Sequence, residues 1–219
     1  MNNRFFLKED LDKIQIKDLE TNYTLCILLK EVPEFHKVCF YLPITAKHVG
    51  HKGISGIMAI TGRRINDYHP DIANLVINEN NQYIEVGAGL GEFSFKVSKL
   101  CKKMPIIIDP VDYCTLYNLL YYSKILDLDE TYEKKIDLFI ERCEKIINNY
   151  GVKLINLSLS DALEKMPELE NLADVVVENF GPSYYPHTEN EDISTEKAKK
   201  LVYSLEKRLL KQNGMLIIK

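Results

Sequence analysis

Apolar and polar positions along this chain follow two periods, one typical of buried strands and one typical of helices. After residue 80, short apolar runs recur five times, and most of the segments between them place apolar residues at helical spacing. The predicted strands are residues 83–86, 106–108, 152–157, 174–177 and 215–218. Strands that alternate with helices predict an α/β fold, with a doubly wound (Rossmann-like), mainly parallel sheet and right-handed crossovers.

The pattern also predicts where the helices begin and end. The clearest helix starts at Ser194 or Thr195, continues to about Lys211 with one apolar face, and is ended by Asn213-Gly214. Asp129 is predicted as an N-cap and Gly151 as a C-cap of the long helix between them. The remaining helices are predicted over residues 71–77, from 92 onward, and over 113–126, 131–150 and 162–166.

The first eighty residues have a different pattern. A short helix is predicted within residues 1–20, and the runs 22–30 and 37–44 predict a β-hairpin, with a helix over the first run as the alternative. A second helix is predicted over residues 54–65. Together these segments predict an N-terminal α+β cap at residues 1–78, ahead of a main domain at residues 79–219.

Composition narrows the class of protein. The 219 residues carry a net charge of −4, and the sequence pI is about 5.8. This balance argues against a protein whose main task is to bind a nucleic-acid backbone. Neither a signal-length apolar N-terminus nor an apolar run of about 18 residues is found, so we expect a cytoplasmic chain that does not enter a membrane.

The cysteines and histidines do not predict a metal site. The five cysteines include no C-x-x-C pair, which is typical of a reduced intracellular protein. His48 and His51 lie in a segment rich in glycine and lysine, and we interpret them as loop residues because no third ligand accompanies them.

The most informative stretch is Glu85-Val-Gly87-Ala-Gly89-Leu-Gly91, between the first strand of the main domain and a helix. Glycine tolerates positive φ and lets a ligand lie against the backbone. A dinucleotide fingerprint needs a third glycine at the position that Glu92 occupies. Glu85 would also repel a pyrophosphate and attract an ammonium or a sulfonium. Both features argue against a nicotinamide-dependent oxidoreductase.

These seven positions resemble the first motif of the class I S-adenosylmethionine-dependent methyltransferases, acid-x-G-x-G-x-G. The resemblance covers residues 81–219 and implies S-adenosyl-L-methionine as cofactor. It implies that Gly87 and Gly89 approach the methionine portion of the cofactor and that Glu85 helps to hold its amino group.

The other strand ends fit the same resemblance. Asp109 follows the second strand and is implied to bind the ribose, and Asp161 with the Ala162 amide is implied to bind the adenine. Glu178-Asn179 follows the fourth strand, beside the methionine end. Asp109 as a turn former, Asp161 as a helix cap and Glu178-Asn179 as an ordinary loop remain alternatives. The complete predicted set of cofactor-binding residues is Glu85, Gly87, Ala88, Gly89, Gly91, Asp109, Pro110, Asp161, Ala162, Glu178 and Asn179.

Candidates for a general base follow the fourth strand. They are Glu178, Tyr184, Tyr185 and His187. The same loop lacks the N-P-P-[YFW] signature of nucleic-acid amino methyltransferases, because Asn179 is followed by Phe-Gly-Pro. We therefore expect methyl transfer to an O or N atom of a small-molecule acceptor. RNA or protein methylation, and a cofactor-binding subunit without catalysis, remain alternatives.

The N-terminal cap is expected to shape the acceptor site, with its basic glycine loop and Tyr68-His69 as possible contacts. The family fold continues beyond the fifth strand with a helix and an antiparallel hairpin, whereas strands six and seven are not visible before Lys219. An uncovered apolar edge favours association. We expect either that this sequence is truncated before these elements, or that the N-terminal segment, a second copy of the chain or another partner covers the fifth strand.

Overall fold

A computed structural model describes residues 13–17, 24–28, 39–44, 56–61, 65–111, 113–114, 117, 120–121, 130–179, 181–183 and 194–219. It contains two sheets, one antiparallel with the order β1-β2-β3-β4 and one parallel with the order β7-β6-β5-β8-β9. The antiparallel strands are β1 (Lys13–Lys17), β2 (Thr24–Leu28), β3 (Cys39–Ile44) and β4 (Gly56–Thr61). The parallel strands are β5 (Tyr83–Val86), β6 (Ile106–Ile108), β7 (Lys153–Ile155), β8 (Ala173–Glu178) and β9 (Leu210–Ile218).

Within the described ranges, five helices with defined bounds connect or flank these strands, and residues 113, 114, 117, 120 and 121 between β6 and α3 are also helical. The helices are α1 (Pro70–Ala73), α2 (Glu92–Ser98), α3 (Glu130–Ile147), α4 (Leu159–Lys165) and α5 (Thr195–Leu209). Short 3₁₀ turns lie at Ile65–Asp67 and Pro167–Leu169. In the main domain, the helices predicted over residues 71–77, from 92 onward, over 131–150 and 162–166, and after Ser194 are all present, although α1 is shorter than the predicted segment 71–77.

The antiparallel sheet confirms the predicted hairpin and corrects two predicted helices. β2 and β3 pair with Cys26 opposite Tyr41. Residues 13–17 form a strand in place of the helix predicted within 1–20, and β4 replaces the helix predicted over 54–65. Both runs are short, and pairing with β2 or β3 satisfies their backbone groups, so the neighbouring strand overrides the weak helical spacing.

The parallel sheet confirms the predicted α/β class. All five strands are parallel, and the two halves of the chain extend the sheet in opposite directions from β5. β6 and β7 lie on one side of β5, whereas β8 and β9 lie on the other. Strand order therefore reverses between β5 and β8, which is where open α/β sheets bind their ligands.

The two faces of the sheet are covered by different helices because successive strand residues point to opposite faces. Ile84 and Val86 pack with residues of α4 and α5, together with Ile106, Ile108 and Val176. Tyr83 faces the other way and packs with α1 and α2, and its ring meets Phe93 edge-on at 6.2 Å. The result is three layers, with a sheet between two layers of helices.

Three predicted boundaries are corrected by local hydrogen bonding. The left-handed residue after α3 is Asn149 (φ 52°), not Gly151, because the amides of Asn149 and Tyr150 close the helix end on Ile146 and Lys145. Gly151 is also left-handed, with φ 80°, but lies outside the helix end. The predicted Asp129 cap lies outside the described residues.

The other two corrections concern α4 and the last strand. α4 begins at Leu159, not at Ala162, because Ser158 caps it by accepting a hydrogen bond from the Asp161 amide. Asn213-Gly214 lies inside β9 and does not end a helix, since α5 stops at Leu209 and β9 begins at the next residue. The pairing of β8 with β9 shifts register at this point, since Ala173 pairs with Leu210 and Val175 pairs with Met215. The shift accommodates the extra residues of β9, which include Asn213-Gly214.

The last residues before β5 pack on the parallel sheet. Tyr68 and Ile72 are buried in the same cluster as Val175, Val177 and Ile217. At the opposite edge of the sheet from β7, β9 pairs with β8 as its one described neighbour. That another segment or a partner pairs with the free side of β9 stays a prediction. Among the described helices, none combines the length and apolarity needed to cross a membrane.

Ile107→Ala tests the packing of the sheet. Ile107 is fully buried beneath α3, so its truncation should lower the free energy of unfolding by about 2–5 kcal/mol in chemical denaturation. Val76→Ala is the matched control, because Val76 is 88% exposed and its truncation should change the free energy of unfolding by less than about 0.5 kcal/mol. Equal effects of the two substitutions would contradict this packing.

Candidate functional site

The candidate site lies at the carboxyl ends of β5, β6 and β8. β5 leads into the turn Gly87–Gly91, β6 leads into Asp109, and the last residue of β8 is Glu178. Val86 is paired with both Ile108 and Glu178 across the sheet, so these three strand ends are at the same level. The fold thus brings together residues that are far apart in the chain, such as Gly87 and Glu178, which are separated by 91 positions.

The glycine turn adopts a backbone that other residues rarely adopt. Gly87, Gly89 and Gly91 all have positive φ, at 65°, 56° and 66°. A Cβ on Gly91 would lie 3.1 Å from Ile107 Cδ1, and one on Gly87 would lie 2.6 Å from Gly181 Cα. A Cβ on Gly89 would meet nothing within 4 Å in the described part of the chain. Gly89 is therefore the position of the turn where space is open to a ligand.

Glu85 connects the strand to the helix that follows the turn. Its Oε2 accepts hydrogen bonds from the Ser94 amide (3.0 Å) and the Ser94 hydroxyl (2.6 Å), and its Oε1 accepts one from the Tyr68 hydroxyl (3.3 Å). Gly91 is the N-cap of α2 and has no side chain, so Glu85 satisfies an amide of the first turn in its place. The structure places this carboxylate inside the protein, against α2.

Burial sets the protonation of Glu85. The side chain is 2% exposed, and burial raises the pKa of its carboxyl to about 7 despite the hydrogen bonds from Ser94 and Tyr68. The pKa of the Tyr68 hydroxyl is also raised well above its ordinary value, mainly by burial and next by the nearby Glu85 charge. The Tyr68 hydroxyl therefore stays protonated and donates to Glu85.

Asp109 holds the middle of the turn. Its Oδ2 accepts from the Gly89 amide at 3.0 Å, and its Oδ1 accepts from the Val111 amide at 2.9 Å. Burial raises the pKa of the Asp109 carboxyl to about 6, although these amide bonds oppose the shift. Tyr113 binds the turn from the other side, since its hydroxyl donates to Gly89 O at 2.6 Å. Both Asp109 oxygens thus have partners within the chain.

Glu178 is the third buried carboxylate. It is fully buried, and its Oε1 accepts hydrogen bonds from the Ser183 amide (2.9 Å) and hydroxyl (2.6 Å). Its Oε2 is buried and has no hydrogen-bond partner among the described residues. A buried carboxylate oxygen without a hydrogen-bond partner is costly, which makes Glu178 Oε2 a candidate contact for a bound ligand.

The segment after β8 lies over the start of the turn. Gly181 and Pro182 are buried against Gly87, the position that the resemblance gives to the methionine portion of the cofactor. Asn179 Oδ1 accepts from the His69 amide at 3.5 Å. Tyr68 and His69 were predicted as contacts to the acceptor, and both make hydrogen bonds within the chain. Tyr68 donates to Glu85, and His69 Nδ1 accepts from the Asp71 amide in the first turn of α1.

The predicted adenine-binding residues lie in α4, which follows β7. The Ala162 amide donates to Ser158 O within the helix, and the Ala162 side chain is fully buried. Asp161 lies in the first turn of α4 with its side chain partly exposed, and Ser158 is the N-cap. The helix-cap alternative for Asp161 is therefore wrong, while its binding role stays a prediction. Pro110 is partly exposed beside Asp109.

Some predicted residues cannot be placed. Tyr184, Tyr185, His187 and the basic glycine loop with His48 and His51 lie outside the described residues. Within the described ranges, no group of three His, Cys, Asp or Glu side chains has the arrangement of a metal site.

Two serines of the site were not predicted. Ser94 binds Glu85 and Ser183 binds Glu178, each through both its amide and its hydroxyl. Ser94 lies in the first turn of a predicted helix, a common place for a capping partner, which was the available signal. Ser183 follows Gly-Pro and carried no comparable signal.

Glu85→Gln tests the buried carboxylate through the pH dependence of stability. Because the folded-state pKa is raised from 4.5 to about 7, the contribution of Glu85 to stability is complete below pH 4.5 and is lost as pH rises through 7. The free energy of unfolding should fall over this range by up to about 3 kcal/mol from Glu85, and Asp109 adds a loss of the same sign at lower pH. Glu85→Gln, which does not titrate, should flatten this dependence in denaturation at several pH values.

The control for this measurement is Glu164→Gln, a substitution of an exposed carboxylate in α4. It should leave the pH dependence of the wild-type protein unchanged. A Glu85→Gln profile that coincides with that of Glu164→Gln would show that Glu85 titrates normally.

Comparison with known proteins leaves the site to be interpreted from its own geometry. No protein-family model matches the chain, and no curated protein matches it at a significant level.

Proposed function

We propose that this protein is an S-adenosylmethionine-dependent methyltransferase that moves a methyl group to an O or N atom of a small-molecule acceptor. The parallel sheet, its reversal of strand order and the glycine turn support a nucleotide-type ligand at the carboxyl ends of β5, β6 and β8. Electrostatics support a cationic ligand of this type.

One observation carries the proposal. Three buried carboxylates, those of Glu85, Asp109 and Glu178, surround the glycine turn. Their hydrogen-bond partners in the described structure are tyrosine, serines and backbone amides, with no lysine or arginine among them. With pKa values of about 6 and about 7, Asp109 is mostly ionised and Glu85 partly ionised at neutral pH, and a cation beside them would favour their ionised forms. Negative charge in a low-dielectric site repels phosphate and attracts an ammonium or a sulfonium. This charge favours S-adenosylmethionine over a dinucleotide.

The residues fit this cofactor in part. Gly89 leaves open the space that a Cβ would fill, and Glu178 Oε2 offers an unpartnered acceptor to an ammonium group. Asp109 would reach ribose hydroxyls by giving up one of its amide bonds, or by accepting a second hydrogen bond at the same oxygen. Asp161 remains available to the adenine, whereas the Ala162 amide is engaged within α4.

The chemistry follows from binding and alignment. A sulfonium supplies an activated methyl group for in-line displacement. The chain binds the two reactants in line, and such alignment can lower a barrier by about 7–11 kcal/mol. A general base is needed for an acceptor that is protonated at working pH, and Glu178 is the described candidate for this role. Tyr184, Tyr185 and His187 remain predicted candidates.

Charge also bears on the acceptor. With a net charge of −4 and buried carboxylates at the site, the protein offers little attraction to a nucleic-acid backbone. This supports a small neutral or cationic acceptor over RNA. Protein methylation remains the alternative within the same reaction class.

A cofactor-binding subunit without catalysis is the second candidate. The specific observation in its favour is that Gly181 and Pro182 fill the space beside Gly87, near the expected position of the reactive methyl group. Such a protein would bind S-adenosylmethionine and show no transfer from it.

Calorimetry with S-adenosylmethionine, S-adenosylhomocysteine and NAD tests the ligand class. We expect binding of the first two and none of NAD, and the reverse result would overturn the proposal. Transfer of a labelled methyl group from S-adenosylmethionine to compounds of a metabolite extract then separates the enzyme from the non-catalytic subunit.

Asp109→Asn tests the predicted ribose contact. The Asn side chain has one oxygen that accepts hydrogen bonds, while its NH2 group only donates, so it cannot replace both carboxylate oxygens of Asp109. S-adenosylmethionine should therefore bind at least roughly tenfold more weakly, which is the scale of a hydrogen bond to a charged group. Glu168→Gln, an exposed carboxylate near α4, is the control and should bind with wild-type affinity. Unchanged affinity of Asp109→Asn in calorimetry would remove Asp109 from the site.

A further inference from the structure

The space beside Gly87 is filled by the chain itself. A Cβ on Gly87 would lie 2.6 Å from Gly181 Cα and 3.1 Å from Pro182 Cδ. In return, a Cβ on Gly181 would lie 2.8 Å from Val86 O. Two glycines therefore allow backbone to lie directly on backbone, and Gly181–Ser183 form a cover over the first glycine of the turn.

The cover is attached to Glu178 by one serine. Both hydrogen bonds to Glu178 Oε1 come from Ser183, at 2.9 Å from its amide and 2.6 Å from its hydroxyl. The carboxylate lies beside the contact with Gly87, since a Cβ on Gly181 would be 3.2 Å from Glu178 Cδ. Displacing the cover would thus uncover Gly87 and the carboxylate together.

The covered arrangement leaves Glu178 incompletely satisfied. Its Oε2 is buried and has no hydrogen-bond partner among the described residues, although a carboxylate can accept about four hydrogen bonds. An ammonium group has three donors and a positive charge, and charge-assisted hydrogen bonds are the stronger ones. A ligand with such a group can therefore compete with Ser183 for this carboxylate.

We propose that Glu178 selects the ligand by its ammonium group, and that Gly181–Ser183 form a cover which the ligand displaces as Glu178 exchanges Ser183 for that ammonium. This inference rests on the proposed function, since it assigns the amino-acid end of S-adenosylmethionine to Glu178. Glu85, which the sequence favoured for this role, is bound to Ser94 and Tyr68.

Ser183→Ala tests the exchange. Removal of the hydroxyl weakens the cover and leaves Glu178 in place, so S-adenosylmethionine and S-adenosylhomocysteine should bind at least about threefold more tightly, because less of the protein is in the covered state. 5′-Methylthioadenosine lacks the ammonium group, so we expect it to bind more weakly than these two ligands. Ser183→Ala should change its affinity less than it changes theirs. Ser204→Ala, an exposed serine of α5, is the control and should bind all three ligands with wild-type affinity.

Glu178→Gln tests selection by charge. The variant should bind S-adenosylmethionine roughly tenfold or more weakly, since the ammonium loses a charged acceptor, and should bind 5′-methylthioadenosine with nearly wild-type affinity. Thermal unfolding of each variant establishes that it is folded. Amide hydrogen exchange of the wild-type protein gives a second measurement, because the Ser183 amide should exchange faster when S-adenosylmethionine is bound.

The outcomes separate this inference from the proposed function. The cover is overturned if the wild-type protein binds S-adenosylmethionine but Ser183→Ala binds it equally well or more weakly. It is also overturned if Ser183→Ala gains as much affinity for 5′-methylthioadenosine as for S-adenosylmethionine. Either result leaves the proposed methyl-donor site unaffected. Slower exchange of the Ser183 amide on ligand binding also overturns the cover. Failure of the wild-type protein to bind S-adenosylmethionine or S-adenosylhomocysteine overturns both.

Discussion

The hydrogen bonds between Glu85 and Ser94 are the interaction on which the site depends. The turn needs three left-handed glycines, and this requirement deprives α2 of a side chain at its N-cap. A carboxylate from the preceding strand satisfies the exposed amide and lies at the positive end of the helix. Strand, turn and helix therefore form one unit, in which the Glu85 carboxylate holds the start of α2 against the end of β5.

Asp109, which follows the next strand, also binds the glycine turn through a backbone amide. Its two oxygens bind amides on both sides, one in the glycine turn and one after β6, while Tyr113 binds the carbonyl of Gly89. Burial raises the pKa of Asp109 and of Glu85, so both carboxylates are held at an electrostatic cost that their hydrogen bonds reduce. Glu178 differs because one of its oxygens remains without a described partner. Glu85 and Asp109 thus both shape the turn through hydrogen bonds from both of their oxygens, whereas Glu178 keeps one oxygen without a described partner.

Much of the parallel sheet was predictable because β5, β6 and β8 are mostly apolar and buried on both faces, and because Gly87, Pro105 and Gly151 lie between strands and helices. Ile106–Ile108 and Tyr83–Val86 were predicted at their observed bounds. The N-terminal strands β1 and β4 were mistaken for helices because pairing with β2 and β3 decides their conformation, and single-sequence spacing does not report pairing. Asn149 took the place predicted for Gly151 because the helix ended two residues earlier. Local patterns give the kind of element more reliably than its last residue.

The sequence by itself determined the alternation of strands and helices, the glycine turn, and the acids at the carboxyl ends of β5, β6 and β8. These are properties of neighbouring residues, which periodicity and residue type express directly. Only the tertiary structure decided what each acid contacts, because Ser94, Gly89 and Ser183 become their partners through the turn and the sheet. It also decided that Gly181 lies on Gly87, a contact between residues ninety-four positions apart that two glycines permit and no local pattern predicts.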